Sequence, residues 1–360
     1  MGSKHLKKKE GLGIMNYPTI SIAIATFNSE KTLSKTLESI KKQSYPPKKI
    51  EILVIDGGST DQTLILAKKY ICKIIPNPKT ELIFAKHIGF LKASGQYLMY
   101  LDSDEVLENP KSLKVKYLAF KKNNRVKSVM PSGYEAPIDA PSINHYINEF
   151  GDPFSFFIYR ESKGGNYLIK DWSLKYKKIH EDKNIIVFSF FETSSLPLVD
   201  LFAGGCMIDL QYAKTSFPQI KSAPFLIAHL FYLLNTKKTL LAITKKDNTI
   251  HYSSQNLNQY LRKIASRVKN NIYQTEMGKG GFIGRELYQP FWFRLKKYLF
   301  IPYSLSLIFP LVDSVYLTVT RKKIIYCCHI LLCIHTSLLI LYYYSLKLVG
   351  LKPEIKNYGN

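Results

Sequence analysis

The sequence predicts an α/β fold: a mostly parallel sheet flanked by helices, followed by a region of apolar C-terminal helices. Three observations lead to this prediction. Short apolar segments of strand length alternate with helical segments over about the first third of the 360-residue chain, and such alternation is typical of a parallel, doubly wound sheet. Polar clusters stand directly after three of these strands. The longest apolar stretches come in the last quarter of the chain.

The strands and helices of the N-terminal part follow one another in a regular order. In the first predicted helix, Leu33, Leu37 and Ile40 recur at helical spacing. The connections between parallel strands are expected to be right-handed crossovers. The predicted strands are 21–25, 50–55, 73–75, 96–101 and 126–130. The predicted helices are 30–42, 63–70, 83–93 and 111–122.

The pattern becomes irregular from residue 132 to residue 201, where glycine, proline, aromatic and charged residues mix. We expect this segment to consist of loops that shape a binding site, because loops on a rigid scaffold often carry function. Regular elements return after it. The sequence predicts a helix over 225–234, a strand over 240–244 and a basic helix over 259–271.

The chain is strongly basic, with 51 Lys and Arg residues against 27 Asp and Glu residues and a formal net charge of +24 at pH 7. Such an excess fits either a nucleic acid or the anionic surface of a membrane. The sequence has no zinc-finger spacing and no RNA-binding strand motif, and its C-terminal basic residues flank apolar stretches. It therefore predicts a membrane partner and no nucleic-acid partner. A hydrophobic content of 46% excludes a mainly disordered chain.

Two apolar stretches near the C-terminus are candidates for membrane contact. Residues 299–319 contain one charged residue, Asp313, and two prolines, whereas residues 324–346 contain no Asp, Glu, Lys or Arg. About 20 apolar residues span a bilayer. If both stretches spanned it, the basic cluster 321–323 would face outside, against the positive-inside tendency. The sequence thus predicts an interfacial or re-entrant first stretch and at most one transmembrane helix. The alternative is a pair of buried core helices in a soluble protein.

These observations divide the chain into five predicted segments. They are a basic disordered arm (1–15), an α/β domain (16–275), an amphipathic linker (276–298), a membrane-associated helical hairpin or re-entrant segment with one transmembrane helix (299–346), and a polar tail (347–360).

Three polar clusters follow three predicted parallel strands: Thr26-Phe27-Asn28, Asp56 to Asp61, and Asp102-Ser103-Asp104. Because ligands of open α/β sheets bind at the carboxyl edge of the strands, the clusters are expected to meet there. Asp56 and Asp102 offer acceptors for a nucleoside, and Asp104 offers a carboxylate for a divalent cation that also binds a diphosphate. The alternative for the second cluster is a plain turn that caps the next helix through Ser59 or Asp61.

The sequence of these clusters resembles a known family. Ser21 to Asn28, Ile55 to Thr63 and Tyr100 to Asp104 are similar to the motifs of family 2 glycosyltransferases of the GT-A fold, over about residues 18–131. The resemblance implies inverting transfer of a sugar from a UDP or GDP donor with Mg²⁺ or Mn²⁺. It also implies which residues form the site. Asp104 would bind the metal, and the nucleoside would be held by Thr26, Asn28, Asp56 and Asp102. Gly57 stands where many members have a second Asp.

The acceptor half of the resemblance is less complete. Gly204 and Gly205 resemble the small-residue loop that lies beneath the donor sugar in the family, the alternative being an ordinary turn. His229 stands where members usually carry an acidic general base, and it is a candidate base or a core residue. His251 follows a strand where some members place a histidine near the diphosphate, so it is a candidate metal ligand.

The missing acid leaves three functional hypotheses open. A polyprenyl phosphate acceptor is already an anion and needs no general base. A lipid-linked glycan would need one, with His229 or another acid in that role. The third hypothesis is a non-catalytic, membrane-anchored scaffold that binds nucleotide. For an enzyme of either kind, the expected location is the cell membrane, with the catalytic domain on the cytoplasmic face.

Overall fold

A computed structural model describes residues 16–275 and 283–354 of the chain. The predicted arm at 1–15 lies outside the described residues, as do residues 276–282 of the predicted linker and residues 355–360 of the predicted tail.

The described residues form twelve strands. They are β1 (Ile20–Thr26), β2 (Ile50–Asp56), β3 (Lys73–Pro76), β4 (Tyr97–Asp102), β5 (Glu105–Leu107), β6 (Val126–Met130), β7 (Gly133–Glu135), β8 (Lys177–Glu181), β9 (Ile185–Ser189), β10 (Cys206–Asp209), β11 (Leu240–Thr244) and β12 (Asn248–His251).

The described residues also form fourteen α-helices. In the α/β part they are α1 (Glu30–Lys41), α2 (Thr63–Lys69), α3 (Leu82–Lys92), α4 (Ser112–Lys122), α5 (Ile143–Phe150), α6 (Pro153–Tyr159), α7 (Leu168–Lys175), α8 (Leu210–Ser216), α9 (Leu230–Thr236) and α10 (Leu257–Tyr273). The C-terminal helices are α11 (Phe291–Leu295), α12 (Phe300–Leu305), α13 (Ile308–Arg321) and α14 (His329–Leu348).

The main sheet has nine strands in the order β3-β2-β1-β4-β10-β6-β11-β9-β8. Strands β3, β2, β1 and β4 are parallel, as predicted. The other half is mixed, because β10 runs antiparallel to both β4 and β6, and β9 runs antiparallel to both β11 and β8. Gly204 and Gly205, both with positive φ, turn the chain immediately before β10. A second, three-stranded sheet has the order β5-β12-β7.

The segment 132–201 is more regular than its sequence predicts. It contains α5, α6, α7, β8 and β9 rather than loops alone. All five residues of β9 are buried between β11 and β8, so its apolar residues do not alternate with polar ones. The helices are seven or eight residues long, which is too short for a helical repeat to stand out.

The core lies on both faces of the parallel strands. Ile22 and Ile24 of β1 face one apolar cluster, whereas Ala23 between them faces the other. Burial on both faces explains why these strands appear as continuous apolar runs. Helix α3 packs very close to β1, since a Cβ on Gly89 would lie 2.7 Å from the Cβ of Ala23.

The C-terminal helices pack against the α/β part instead of standing apart from it. Arg160 pairs with Asp313 of α13 at 2.7 Å, and Arg321 pairs with Glu149 of α5 at 2.7 Å. Buried aromatic residues of α5 and α6 complete this contact with α12 and α14.

The first predicted apolar stretch is bent. Leu307, with a φ of 60°, separates α12 from α13, and Phe291–Leu305 makes an angle of 89° with Ile308–Arg321. Within the described residues, Ile324–Leu348 is the one helix long and apolar enough to cross a membrane. The bent pair would provide a second crossing only if its two halves acted as one span.

A buried ion pair gives a test of the fold. Lys116 of α4 and Asp247, just before β12, are both almost completely buried and pair with each other. We expect Lys116→Met to lower the free energy of unfolding by about 3–5 kcal/mol, because it leaves the Asp247 carboxylate buried without its cation. Denaturant unfolding in detergent measures this. The matched control is Lys178→Met, from an exposed pair with Glu181, where a loss below about 1 kcal/mol is expected. Equal losses of unfolding free energy in the two variants would contradict the burial of the Lys116–Asp247 pair.

Candidate nucleotide and metal site

The three predicted polar clusters meet at one edge of the sheet. In the parallel register, Thr26 at the end of β1 pairs with Asp56 at the end of β2. On the other side of β1, Ala25 pairs with Asp102 at the end of β4. The carboxyl ends of these three neighbouring strands therefore place the clusters side by side, at the kind of edge where α/β proteins bind ligands.

The Asp56 carboxylate organises the loop that follows β2. One oxygen accepts hydrogen bonds from the Thr26 and Ser59 hydroxyls at 2.9 and 2.6 Å. The other accepts from the backbone N–H groups of Gly58 and Ser59 at 2.9 and 2.8 Å. Four bonds fill the acceptor capacity of a carboxylate, and Asp56 is buried. This environment favours a structural role for Asp56 over the predicted nucleoside contact.

Asn28 joins the first two loops. Its φ of 46° lies in the left-handed region that asparagine tolerates. Its side-chain oxygen accepts the Thr60 N–H at 2.9 Å, and its own N–H donates to the Ser59 hydroxyl at 2.9 Å. Asn28 itself is exposed at the sheet edge, so the predicted nucleoside contact of Asn28 stays a prediction compatible with its position. Thr26 is buried beneath it.

Asp102 is held by a buried cation. The Lys86 ammonium, on α3, is almost fully buried and pairs with the Asp102 carboxylate, which keeps 26% of its side chain exposed. The turn after Asp102 is fixed to α1, since the Thr36 hydroxyl donates to the Ser103 carbonyl at 3.0 Å. Asp102 thus faces the site edge from a rigid position.

Asp104 and His251 form the pair that fits a metal ion. The Asp104 Oδ2 and the His251 Nε2 lie 3.7 Å apart, with side chains 32% and 24% exposed. The pairing of β5 with β12 brings them together, and the Tyr252 N–H donates to the Asp104 carbonyl at 3.0 Å. Burial would lower the pKa of His251, but the carboxylates of Asp104, Glu105 and Asp102 together outweigh it and raise that pKa. Burial would raise the pKa of Asp104, but His251 and Lys263 outweigh it and lower that pKa.

The donor set of this pair fits Mn²⁺ or Mg²⁺ bound together with a substrate. Carboxylate oxygens suit both ions, and imidazole suits the transition metals. Among residues 16–275 and 283–354, no group of three or more His, Cys, Asp or Glu side chains is close enough to hold an ion alone. Asp104 and His251 would therefore supply two positions, and diphosphate oxygens and water would fill the others.

His229 lies in the core rather than at this edge. Its side chain is fully buried, and neither ring nitrogen has a hydrogen-bond partner within the described part of the chain. It packs near the rings of Tyr232 and Tyr288, and burial lowers its pKa to about 4. An imidazole without exposed surface cannot touch an acceptor hydroxyl, so this environment favours the core role over the predicted general base.

Glu105 is a residue of the site that the sequence analysis did not identify. It is buried, with its carboxylate between the end of β4, the loop before β10, and Tyr134. Burial, with the neighbouring Asp102 carboxylate, raises the pKa of Glu105 to about 7. The sequence signal for Glu105 was its place directly after the Asp-x-Asp triplet. Its contacts with Tyr134 and Gly204, however, depend on residues far along the chain.

Gly204 and Gly205 are required by their surroundings. Their φ values are 72° and 74°, in the left-handed region that glycine adopts freely. A Cβ on Gly204 would lie 2.6 Å from the Tyr134 hydroxyl oxygen, and one on Gly205 would lie 3.0 Å from a Leu107 methyl carbon. The Thr249 hydroxyl donates to the Gly204 carbonyl at 2.8 Å. The loop is therefore fixed against β12 and Tyr134.

A recess opens beside Gly204, between the sheet and helices α5, α6 and α7. Aromatic side chains form part of its wall, and a charged group lies at its side, where Lys163 and Arg285 both pair with Asp200. Burial would raise the pKa of Asp200, but the two cations outweigh it and hold that pKa well below its usual range. An acid so strongly ionised is a weak base.

Comparison with known proteins agrees with the motifs. Residues 21–180 match the family model described as "Glycosyl transferase family 2". This part of the chain belongs to that family. The match includes the three polar clusters that follow β1, β2 and β4. The predicted resemblance to family 2 glycosyltransferases is therefore confirmed.

Two curated relatives share part of the family 2 segment. An "Uncharacterized glycosyltransferase" of Haemophilus influenzae is 36% identical over 106 residues, which are 27% of this chain and 40% of that protein. A "Dolichyl N-acetyl-alpha-D-glucosaminyl phosphate 3-beta-D-2,3-diacetamido-2,3-dideoxy-beta-D-glucuronosyltransferase" of Methanococcus voltae is 39% identical over 92 residues, which are 24% of this chain and 28% of that protein. The match thus spans less than half of either relative.

A solved structure supports the fold over most of the chain. The structure titled "Mannosyltransferase PcManGT from Pyrobaculum calidifontis in complex with GDP-Man and Mn2+" has a TM-score of 0.50 with 10% identity, covering 91% of this chain and 88% of that chain. At this identity the likeness shows the fold alone. It agrees with the family match, and the predicted GT-A fold class is confirmed.

The fit of Gly204 against Tyr134 generates a test. We expect Gly204→Ala to displace the loop, because the new methyl would meet the Tyr134 hydroxyl and the φ of 72° disfavours any residue with a Cβ. A crystal structure or hydrogen exchange over residues 201–206 would report the shift. Gly58→Ala is the matched control, since Gly58 has a φ of 94° but open space around its Cβ. A Gly204→Ala loop that keeps its position would contradict the tight fit.

Proposed function

We propose that this protein is an inverting glycosyltransferase that moves a sugar from a UDP or GDP donor to a lipid-linked acceptor at a membrane surface. The acceptor is a polyprenyl phosphate or a lipid-linked glycan. The observation that carries the proposal is the meeting of the three polar clusters at one sheet edge, beside the Asp104–His251 pair. The family membership of residues 21–180 supports the same reaction class.

The donor side of the reaction follows from the edge of the sheet. Asn28, in the turn after β1, is the exposed member of the predicted nucleoside set, and Asp102, at the end of the neighbouring strand β4, is partly exposed. Asp104 and His251 would hold Mg²⁺ or Mn²⁺, which when bound neutralises the charge that develops on a departing diphosphate. The Lys86 ammonium fixes the Asp102 carboxylate, so the loop is in place before the donor binds.

The acceptor side favours an acceptor that is already an anion. His229 has no exposed surface, so it cannot reach an acceptor hydroxyl. Asp200 is held in its ionised form by Lys163 and Arg285, which makes it a weak base. Neither residue is therefore suited to remove a proton from a hydroxyl. A phosphate monoester needs no such step, because it can attack as an anion. The name of the Methanococcus voltae relative includes a dolichyl-linked phosphate, which supports a lipid-linked acceptor.

The membrane part of the proposal rests on the C-terminal helices. Ile324–Leu348 is long and apolar enough to span a bilayer. The bent pair before it carries large apolar or aromatic side chains that are at least 60% exposed, namely Phe291, Trp292, Tyr298, Ile308, Phe309, Val312 and Val319. Large apolar side chains exposed on neighbouring turns of helix favour a membrane or protein contact. Lys322 and Lys323 flank it, and basic residues beside apolar helices favour the cytoplasmic face.

The first experiment tests the donor reaction with purified full-length protein in detergent. We expect Mn²⁺-dependent binding of UDP or GDP, and turnover of a matching nucleotide sugar with polyprenyl phosphate. Asp104→Asn should lower metal-dependent nucleotide affinity at least roughly tenfold, because it removes a charged metal ligand. Glu192→Gln is the control, since Glu192 is an exposed carboxylate that pairs with Lys177 of β8, the edge strand at the end of the sheet opposite β3.

The outcomes separate the hypotheses. Nucleotide binding without turnover of any donor would favour the membrane-anchored scaffold. Failure of UDP and GDP to bind in the presence of metal would reject both the enzyme and the scaffold. Unchanged metal-dependent affinity in Asp104→Asn would reject the metal assignment alone.

The two tryptophans of the chain allow a direct test of membrane contact. Trp292 in α11 is 79% exposed, whereas Trp172 is buried in the core. In vesicles that contain brominated phospholipids, we expect Trp292 fluorescence to be quenched, because tryptophan lies at membrane interfaces. Trp292→Phe should abolish the quenching and leave the Trp172 emission unchanged. Equal quenching in Trp292→Phe and the parent protein would contradict an interfacial position of α11.

A further inference from the structure

The Glu105 carboxylate joins the two halves of the candidate site. Its Oε2 accepts the backbone N–H of Asp102 at 2.8 Å and the backbone N–H of Gly204 at 2.8 Å. Its Oε1 accepts the Tyr134 hydroxyl at 3.1 Å. Only 1% of Glu105 is exposed.

These contacts constrain the distance between two loops that are far apart in the sequence. Asp102 belongs to the metal and nucleotide side, and Gly204 belongs to the predicted acceptor loop. Because both N–H groups donate to the same oxygen atom, their nitrogens cannot be farther apart than twice 2.8 Å. Burying a carboxylate is costly unless it is hydrogen-bonded, so Glu105 is stable only while both loops stay in these positions.

Tyr134 extends the same contact to the metal pair. Its ring packs against the His251 ring with centroids 5.2 Å apart. Its hydroxyl, held by Glu105, occupies the space where a Cβ on Gly204 would lie. Glu105 therefore acts on both loops directly, and on His251 through Tyr134.

We propose that Glu105 is a positioning residue that sets the acceptor loop at a fixed distance from the metal and nucleotide loop. The effect on turnover rests on the proposed function, since it assumes that the sugar is transferred between these two loops. Glu105 does not itself touch the substrates. Its effect would be on turnover, because small displacements of reacting groups reduce rates strongly even when binding persists.

The first measurement is hydrogen exchange on the full-length protein in detergent. We expect Glu105→Ala to raise the exchange rate of the Asp102 and Gly204 amides together, roughly tenfold or more, because both lose the same acceptor. Glu105→Gln should stay close to the parent protein. The glutamine carbonyl oxygen can accept both N–H groups, and its amide can donate to the Tyr134 oxygen.

A second buried acid provides the matched control. Glu149 is 3% exposed and binds Arg321 and Tyr326 of the C-terminal region. Glu149→Ala also removes a buried carboxylate, but it should leave the exchange of the Asp102 and Gly204 amides unchanged. A general loss of stability would raise exchange in both variants, whereas release of the two loops is specific to Glu105→Ala.

The second measurement separates positioning from folding. In the presence of Mn²⁺, we expect Glu105→Ala to change the dissociation constant of UDP or GDP by less than about threefold. The same variant should lower the turnover of the nucleotide sugar on the order of a hundredfold. Glu105→Gln should restore most of the turnover. A proportional fall in affinity and turnover, without rescue by glutamine, would overturn the positioning role.

The exchange experiment keeps this inference independent of the proposed function. If the parent protein binds neither UDP nor GDP, the proposed function fails, while joint release of the two loops in Glu105→Ala would still support the link between them. If the two amides respond separately, or neither responds, the link is rejected even in an active enzyme.

Discussion

The parallel pairing of β1 with β2 and β4 is the constraint on which the rest of the site depends. The pairing aligns Thr26 with Asp56 and Ala25 with Asp102. A slip of one residue would turn every side chain of a strand to the opposite face, and both faces of these strands are packed in the core. The apolar packing therefore fixes the register, and the register places the polar ends of three strands together.

The predictability of the fold follows the local strength of this pattern. Strands β1 to β4 and β6 lie within about a residue of their predicted bounds, because each is a short apolar run that ends at a polar or glycine-containing turn. The segment 132–201 has no such pattern. Its helices are short, and β9 is buried between two other strands. Its place in the sheet comes from pairing with β11, more than fifty residues away, and no local signal reports that.

The candidate site likewise has a part that the local sequence predicts and a part that only the tertiary fold brings together. Its three polar clusters could be predicted because each is continuous in the sequence and ends a strand. The motif also supplied His251, which the structure brings 3.7 Å from Asp104. Position in a motif does not report burial, however. His229 stands where the family carries its base but is enclosed by aromatic rings. Glu105 was missed because its partners, Tyr134 and Gly204, reach it only through the tertiary fold.

The C-terminal helices pack against the same two helices, α5 and α6, that line the proposed acceptor recess. Phe150 of α5 and Tyr159 of α6 line the recess beside Gly204, while other aromatic residues of these two helices pack against α12 and α14. The Arg160–Asp313 and Glu149–Arg321 pairs hold the two layers together. Under the proposed function, a bilayer that fixes the C-terminal helices would also fix the wall of the recess. A lipid-linked acceptor would then meet a site whose position relative to the membrane is set by the fold itself.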